Sequence, residues 1–246
     1  MFDEFLPKKR LGLLTPAPVT DYAAYQFYRL APEGIMLVMV SVGIREFTPT
    51  DFERAFAPLE EYLALLVEQE VDIIVQSGVP LGILMGKECH DRLLARIEKA
   101  TGLPAISHVL SIVAAAKALG IQKIVLANRW TPELNGLLRA FFASKGIQIV
   151  GINTHSKVPR PTSKLKCGET LALAYELGRG ALENYPDADG IYIGGGSWLT
   201  YPIVAPLEKE FGKPVITNMN ALIWHTCHLL DYWKPIQGYG RLLQIL

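Results

Sequence analysis

The sequence predicts an α/β protein of two pseudo-symmetric, parallel-sheet, Rossmann-like halves with the site in the cleft between them. Three observations lead there. Short apolar runs alternate with amphipathic segments, as in right-handed βαβ units. The second half of the chain repeats the first in detail, and each repeat ends a strand on a turn of small residues.

Taken in order, Arg10–Leu14, Ile35–Val40 and Val71–Val75 read as buried parallel strands. Between the second and third, Phe52, Phe56, Leu59, Leu63 and Leu66 recur at helical spacing, so Thr50 to Glu70 is expected to be one helix, capped at its start. A helix from about Lys87 to Ala100, a strand Pro104–Ile106 and a helix Val109–Leu119 ended by Gly120 complete the first series. The second runs as strand Lys123–Ala127, helix Thr131–Ser144, strand Gln148–Ile152, helix Glu169–Asn184, strand Gly190–Ile193, helix Pro202–Phe211 and strand Pro214–Thr217, with a last helix from Ala221 to Leu230. Val71–Gly78 matches Ala188–Gly195, with Asp72 on Asp189 and Gly78 on Gly195; Thr101–Ser107 matches Phe211–Thr217 through a shared Gly-x-Pro turn. Residues 1–119 with 221–246 are therefore assigned to the first half and residues 120–220 to the second.

Half of the 246 residues are apolar, enough for a large core, and 24 basic residues balance 24 acidic ones. No global field favours nucleic acid or an anionic membrane. No run approaches the about 20 apolar residues of a membrane span. Met1 to Arg10 is charged and has no apolar run behind it, so a cytoplasmic protein is expected. Cys89, Cys167 and Cys227 lack the spacing of a disulfide framework or a zinc site; three free thiols and no metal are expected.

Ligands of parallel sheets bind beyond the carboxyl ends of the strands. The turns there are Thr15-Pro16, Ser77-Gly78-Val79, Asn128-Arg129-Trp130, Asn153-Thr154-His155 and Gly194-Gly195-Gly196-Ser197. Consecutive glycines let a backbone curl round a small anion and offer it several N–H donors, although they equally make a tight turn. No phosphate-loop pattern is present.

Arg10–Pro16, Asp72–Gly78, Thr101–Pro104, Ala118–Gly120 with Ile124–Ala127, and Asp189–Ile191 with Gly194–Gly196 resemble the aspartate/glutamate racemase superfamily, in its arylmalonate decarboxylase and maleate isomerase branch, from about Arg10 to Leu230. The resemblance implies two strand ends facing a carboxylate, with cysteines at one or both to move protons or attack the substrate. Gly78 and Gly195 stand at the matching positions. Val79 and Pro80 match a hydroxyl pair, and Trp130 matches a tyrosine. Cys89 and Cys167 fall elsewhere.

Proton transfer then passes to other groups, of which His108 and His155 are the candidates, since an imidazole trades a proton near neutral pH. His108, with Asn218 as its counterpart in the repeat, could equally be a histidine hydrogen-bonded at a helix start. Arg45 and Arg129 are candidate carboxylate partners. The stretch Thr154–Cys167, with His155, Lys157, Arg160, Lys164 and Lys166 and no acid, reads either as a lid that attracts a carboxylate or as a solvated basic loop.

The expected function is a cofactor-independent enzyme acting on a small carboxylate through an enolate or oxyanion. It would be a lyase or isomerase, or a hydrolase or hydratase with a non-cysteine acid or base. The alternative is a catalytically inactive relative that binds a small acid or a protein partner. A homo-oligomer is possible, with the tail Asp231–Leu246 covering a partner subunit.

Overall fold

The computed structural model describes residues 3–19, 22–46, 48–155, 167–195 and 198–245. The α/β class and its two parallel halves are what the chain adopts. One sheet holds β1 (Lys9–Thr15), β2 (Ile35–Ser41), β3 (Ile73–Gln76) and β4 (Ala105–Ser107), in the order β2-β1-β3-β4. The other holds β5 (Lys123–Asn128), β6 (Gln148–Thr154), β7 (Gly190–Ile193) and β8 (Val215–Thr217), in the order β6-β5-β7-β8. All pairs are parallel, and the two orders are the same.

The repeat has a physical basis at each matched position. Asp72 Oδ2 accepts the Arg10 N–H at 2.7 Å, and Asp189 Oδ2 accepts those of Gln122 and Lys123 at 3.0 and 2.7 Å. In each half, then, the carboxylate before the inner strand satisfies donors where the neighbouring strand begins. Gly102 and Gly212 end their helices in the left-handed conformation, at φ +70° and +67°. Pro104 O and Pro214 O then each accept the backbone N–H of an inner-strand residue, Ile74 and Ile191, both at 3.0 Å.

The helices are α1 (Tyr22–Leu30), α2 (Pro49–Phe56), α3 (Leu59–Glu68), α4 (Val79–Leu84), α5 (Gly86–Thr101), α6 (His108–Ala118), α7 (Pro132–Ser144), α8 (Cys167–Asn184), α9 (Val204–Phe211) and α10 (Asn218–Leu229). The single helix expected over Thr50–Glu70 is two, divided at Ala57-Pro58, because proline has no N–H to extend the ladder of α2. The helix α4 carries no amphipathic signal, since Val79 to Ile83 are all buried. Thr131 caps α7 by accepting from Leu134 N, as its position before Pro132 suggests.

Apolar layers cover both faces of each sheet. Met219, Leu222 and Ile223 of α10 pack with Leu11, Leu13, Ile73 and Val75 of the first sheet. Val109, Ile112 and Val113 of α6 pack with Ile124 and Leu126 of the second sheet, in a cluster that also holds Val79, Trp130 and Tyr192. Each sheet therefore receives the helix that follows the last strand of the other, and α6 and α10 pack against each other. In the tail, Leu242 and Leu243 are fully buried in these layers of their own chain. Among the described residues no helix is long and apolar enough to cross a membrane.

Candidate active site

The inner strands β3 and β7 end on Ser77-Gly78 and Gly194-Gly195, with φ of +90° at Gly78 and +146° at Gly195, conformations that favour glycine. Beside each turn a neighbouring strand passes into a helix through a hydroxyl cap. Ser107 Oγ accepts from Leu110 N, and Thr217 Oγ1 accepts from Asn220 N, both at 3.3 Å. The residue after each cap faces the glycine. Gly78 N–H donates to His108 Nδ1 at 3.2 Å, and Gly195 N–H donates to Asn218 Oδ1 at 3.4 Å. The pairing of His108 with Asn218 is thus a shared backbone solution filled by two acceptors.

Three consequences follow for the first half. An amide N–H only donates, so Nδ1 of His108 is an acceptor and the ring proton of the neutral imidazole is on Nε2. That Nε2 is buried and has no partner among the described residues. Burial lowers the His108 pKa to about 4, and the positive end of α6 acts in the same direction. With that pKa the ring is neutral near neutral pH and carries its proton on Nε2. Gln76 holds the turn from beneath, its Nε2 donating to the carbonyls of Ser77 and Gly78. Pro16 covers the turn, and a Cβ on Gly78 would stand 2.8 Å from its Cγ. Thr15 and Ser77 are buried, with the Thr15 carbonyl holding Val42 N at 2.9 Å and Ser77 N bonding Leu14 O at 2.9 Å. Val79 lies wholly in the apolar layer.

In the second half the amides of Gly194 and Gly195 are occupied, by Ala127 O at 2.8 Å and by Asn218 Oδ1. Those two glycines offer no free N–H, and among the described residues beside them the unpartnered donors are side chains. Gly196 and Ser197, and with them Lys157, Arg160, Lys164 and Lys166, lie outside the described residues. Tyr192 OH also donates to Asn218 Oδ1, at 2.6 Å, and burial holds its phenol well above the usual range. The Trp130 ring tilts against Tyr192 and lies over Gly194, where a Cβ would come within 2.7 Å of Cη2. Asn128 is tied within its own turn: Nδ2 donates to Asn135 Oδ1 at 2.7 Å, and Oδ1 accepts from Trp130 N at 3.0 Å. These bonds shape the turn at a position read from sequence as a ligand contact.

Arg129, next along, is 8% exposed and makes no side-chain hydrogen bond or ion pair among the described residues. Its guanidinium lies over the indole of Trp198, with Cζ 5.7 Å from the ring centroid. Burial lowers its pKa from the usual arginine value. Arg45 and His155 are both exposed, Arg45 with its backbone N–H on Asp51 Oδ2 at 2.6 Å and His155 with its own on Asn128 O at 3.0 Å, beside the Asn128-Arg129 turn. Of the cysteines, Cys89 lies on α5 beside Arg92, and Cys227 is buried on α10 with its thiol pushed up to about 12. Among the described residues no cluster of His, Cys, Asp and Glu is placed to hold a metal ion.

Sequence reasoning missed Trp198 and Gln26. Gln26 of α1 spans to the other half: Nε2 donates to Trp198 O at 3.2 Å, and Oε1 accepts from Thr200 N at 2.8 Å and Tyr201 N at 3.2 Å. Nothing in the local pattern of α1 signals a contact so distant in the chain.

Comparison with known proteins agrees with this architecture. The family model for arylmalonate decarboxylase matches residues 11–243. The arylmalonate decarboxylase of Bordetella bronchiseptica is 24% identical over 241 residues, which covers 94% of this chain and 95% of that protein. Among solved structures, unliganded arylmalonate decarboxylase superposes with a TM-score of 0.82 at 24% identity, over 96% of this chain and 99% of that one. A maleate cis-trans isomerase of Nocardia farcinica, solved with a covalently bound succinylcysteine intermediate, superposes with a TM-score of 0.80 at 19% identity, over 96% and 98%.

Proposed function

Because the chain belongs to the arylmalonate decarboxylase family, we propose that it is a cofactor-independent enzyme that carries a small carboxylate through an enolate-like anion held by buried side-chain donors. The observation that carries this reading is the His108 Nε2–H, fixed by Gly78, buried and without an acceptor among the described residues. In this reading Arg129, whose buried Nε–H has no partner among the described residues, supplies a second donor and a positive charge for the anion. A neutral imidazole donating to a developing oxyanion is an established means of stabilising it.

For a substituted malonate, the bond from Cα to one carboxylate breaks and CO2 leaves. The electron pair passes to the enediolate of the remaining carboxylate, where His108 donates. A proton derived from water then reaches Cα. The reading uses no thiol, since glycine stands at 78 and 195, and Cys89 and Cys227, the cysteines whose side chains are described, lie on α5 and α10.

The test is depletion of phenylmalonate, methylmalonate and maleate by the purified protein, with CO2 or fumarate as the product followed. His108→Ala should abolish turnover, while full activity in both His108→Ala and His155→Ala would remove histidine from the mechanism. A second reading, an inactive binder, is favoured by the two glycines in place of thiols. It is preferred if none of the acids is consumed yet one raises the melting temperature.

A further inference from the structure

The two glycine turns are closed by different neighbours. At Gly78 the neighbour is an apolar proline ring. At Gly195 a Cβ would stand against the indole Nε1 of Trp198, with Cδ1 and Cε2 both at 2.8 Å. The indole therefore fills the volume that a side chain at position 195 would take. Its ring is fully buried, and its Nε1–H has no acceptor among the described residues. Folded proteins keep few such donors without a partner, because dehydrating an N–H and leaving it unbonded is unfavourable. The Nε–H of Arg129, stacked on the same ring, is in the same condition. Two adjacent buried donors, one of them charged, ask for one anionic acceptor. The segment that carries the indole is held in place by Gln26, through Trp198 O and Thr200 N.

We propose that Trp198 and Arg129 form a carboxylate-binding pair, which makes Trp198 a substrate-contacting residue of the second strand end. A planar carboxylate has an oxygen for each donor, and the guanidinium supplies the charge. An indole N–H donates a hydrogen bond and releases no proton near neutral pH. This face of the site holds charge and transfers no proton, which leaves the first strand end as the face where chemistry differs between substrates. The inference rests on the reading of the site given above and adds which residues hold the carboxylate.

The test is calorimetric binding of phenylmalonate, with the uncharged dimethyl ester as control. Trp198→Phe keeps an aromatic ring and removes the N–H; it should weaken phenylmalonate about tenfold, the loss of one hydrogen bond to a charged group. Arg129→Gln should weaken it further, and the ester should respond to neither change. In the wild-type protein, the indole N–H resonance of Trp198 should shift on adding phenylmalonate, a readout independent of how the variants fold. Phenylmalonate that fails to bind, wild-type affinity in Trp198→Phe, or an unmoved resonance would each overturn the pair. Binding that depends on Trp198 without turnover would sink the catalytic reading and leave this inference standing; turnover with KM unchanged in Trp198→Phe would do the reverse.

Discussion

The turn at Gly78 and the turn at Gly195 are one backbone design with two side-chain solutions. In both, a glycine amide donates to the first residue of the helix that follows the next strand. In the first half the acceptor is His108, which is left with a second polar atom facing away from the bond. In the second it is Asn218, which also takes the Tyr192 hydroxyl. The contrast teaches that backbone symmetry here preserves geometry while the polar atoms left over differ. Among the described residues, one turn retains an unpartnered imidazole donor, while at the other the Gly194 and Gly195 amides are bonded and the unpartnered donors are those of Trp198 and Arg129.

The sharpest way to break the comparison is to make the halves alike. His108→Asn places an amide oxygen where Nδ1 stands, so the Gly78 N–H keeps an acceptor while the Nε2–H is lost. Turnover should fall by about 100-fold to 1000-fold, the usual effect of losing one oxyanion donor, with the melting temperature little changed. Unaltered turnover in a folded variant would mean that the two halves differ without consequence.

A similar free energy is at stake in pH dependence. The folded pKa of His108, about 4, lies below the ordinary 6.5, so below pH 6.5 the unfolded chain binds the extra proton first. The stabilisation from keeping the ring neutral is complete above pH 6.5 and is lost as pH falls towards 4, by roughly 3 kcal/mol at most. His225, also lowered to about 4 by burial, adds to the same slope. Chemical denaturation between pH 7 and 4 should show a shallower loss for His108→Asn than for the wild type; parallel curves would contradict the buried neutral imidazole.

The smallest effect lies at the other end of the strands. Asp189 accepts two backbone amides and Asp72 one, with Lys9 at 3.6 Å. Asp189→Ala should therefore cost more than Asp72→Ala, each on the order of 1 kcal/mol, as read by urea denaturation.

The sheets and their duplication were legible because they rest on local patterns: buried Val and Ile runs, an Asp before each inner strand, and a Gly-x-Pro turn after each helix. The buried α4 was not, since a helix covered on all sides has no periodicity to read. The site was legible as a location and less so as chemistry. Gly78, His108 and Arg129 are where the strand ends predict. The tautomer of His108 depends on an amide 30 residues away, and the environment of Trp198 depends on Gln26, 172 residues away. Asn128 shows the converse: a polar residue at a strand end whose side chain bonds Trp130 N in its own turn and Asn135 of the following helix.

The exchange of α6 and α10 bears on how such a duplicated chain comes to fold. A chain cut between the repeats would separate Val109, Ile112 and Val113 from Ile124 and Leu126, and Met219 and Leu222 from Leu11 and Leu13. Each fragment would keep a sheet with one face only partly covered, by α1 or by α7, and a helix without the sheet it packs on. The repeats have become interdependent, and the chain is expected to assemble as a single cooperative unit whose slow step is the long-range meeting of the two helices.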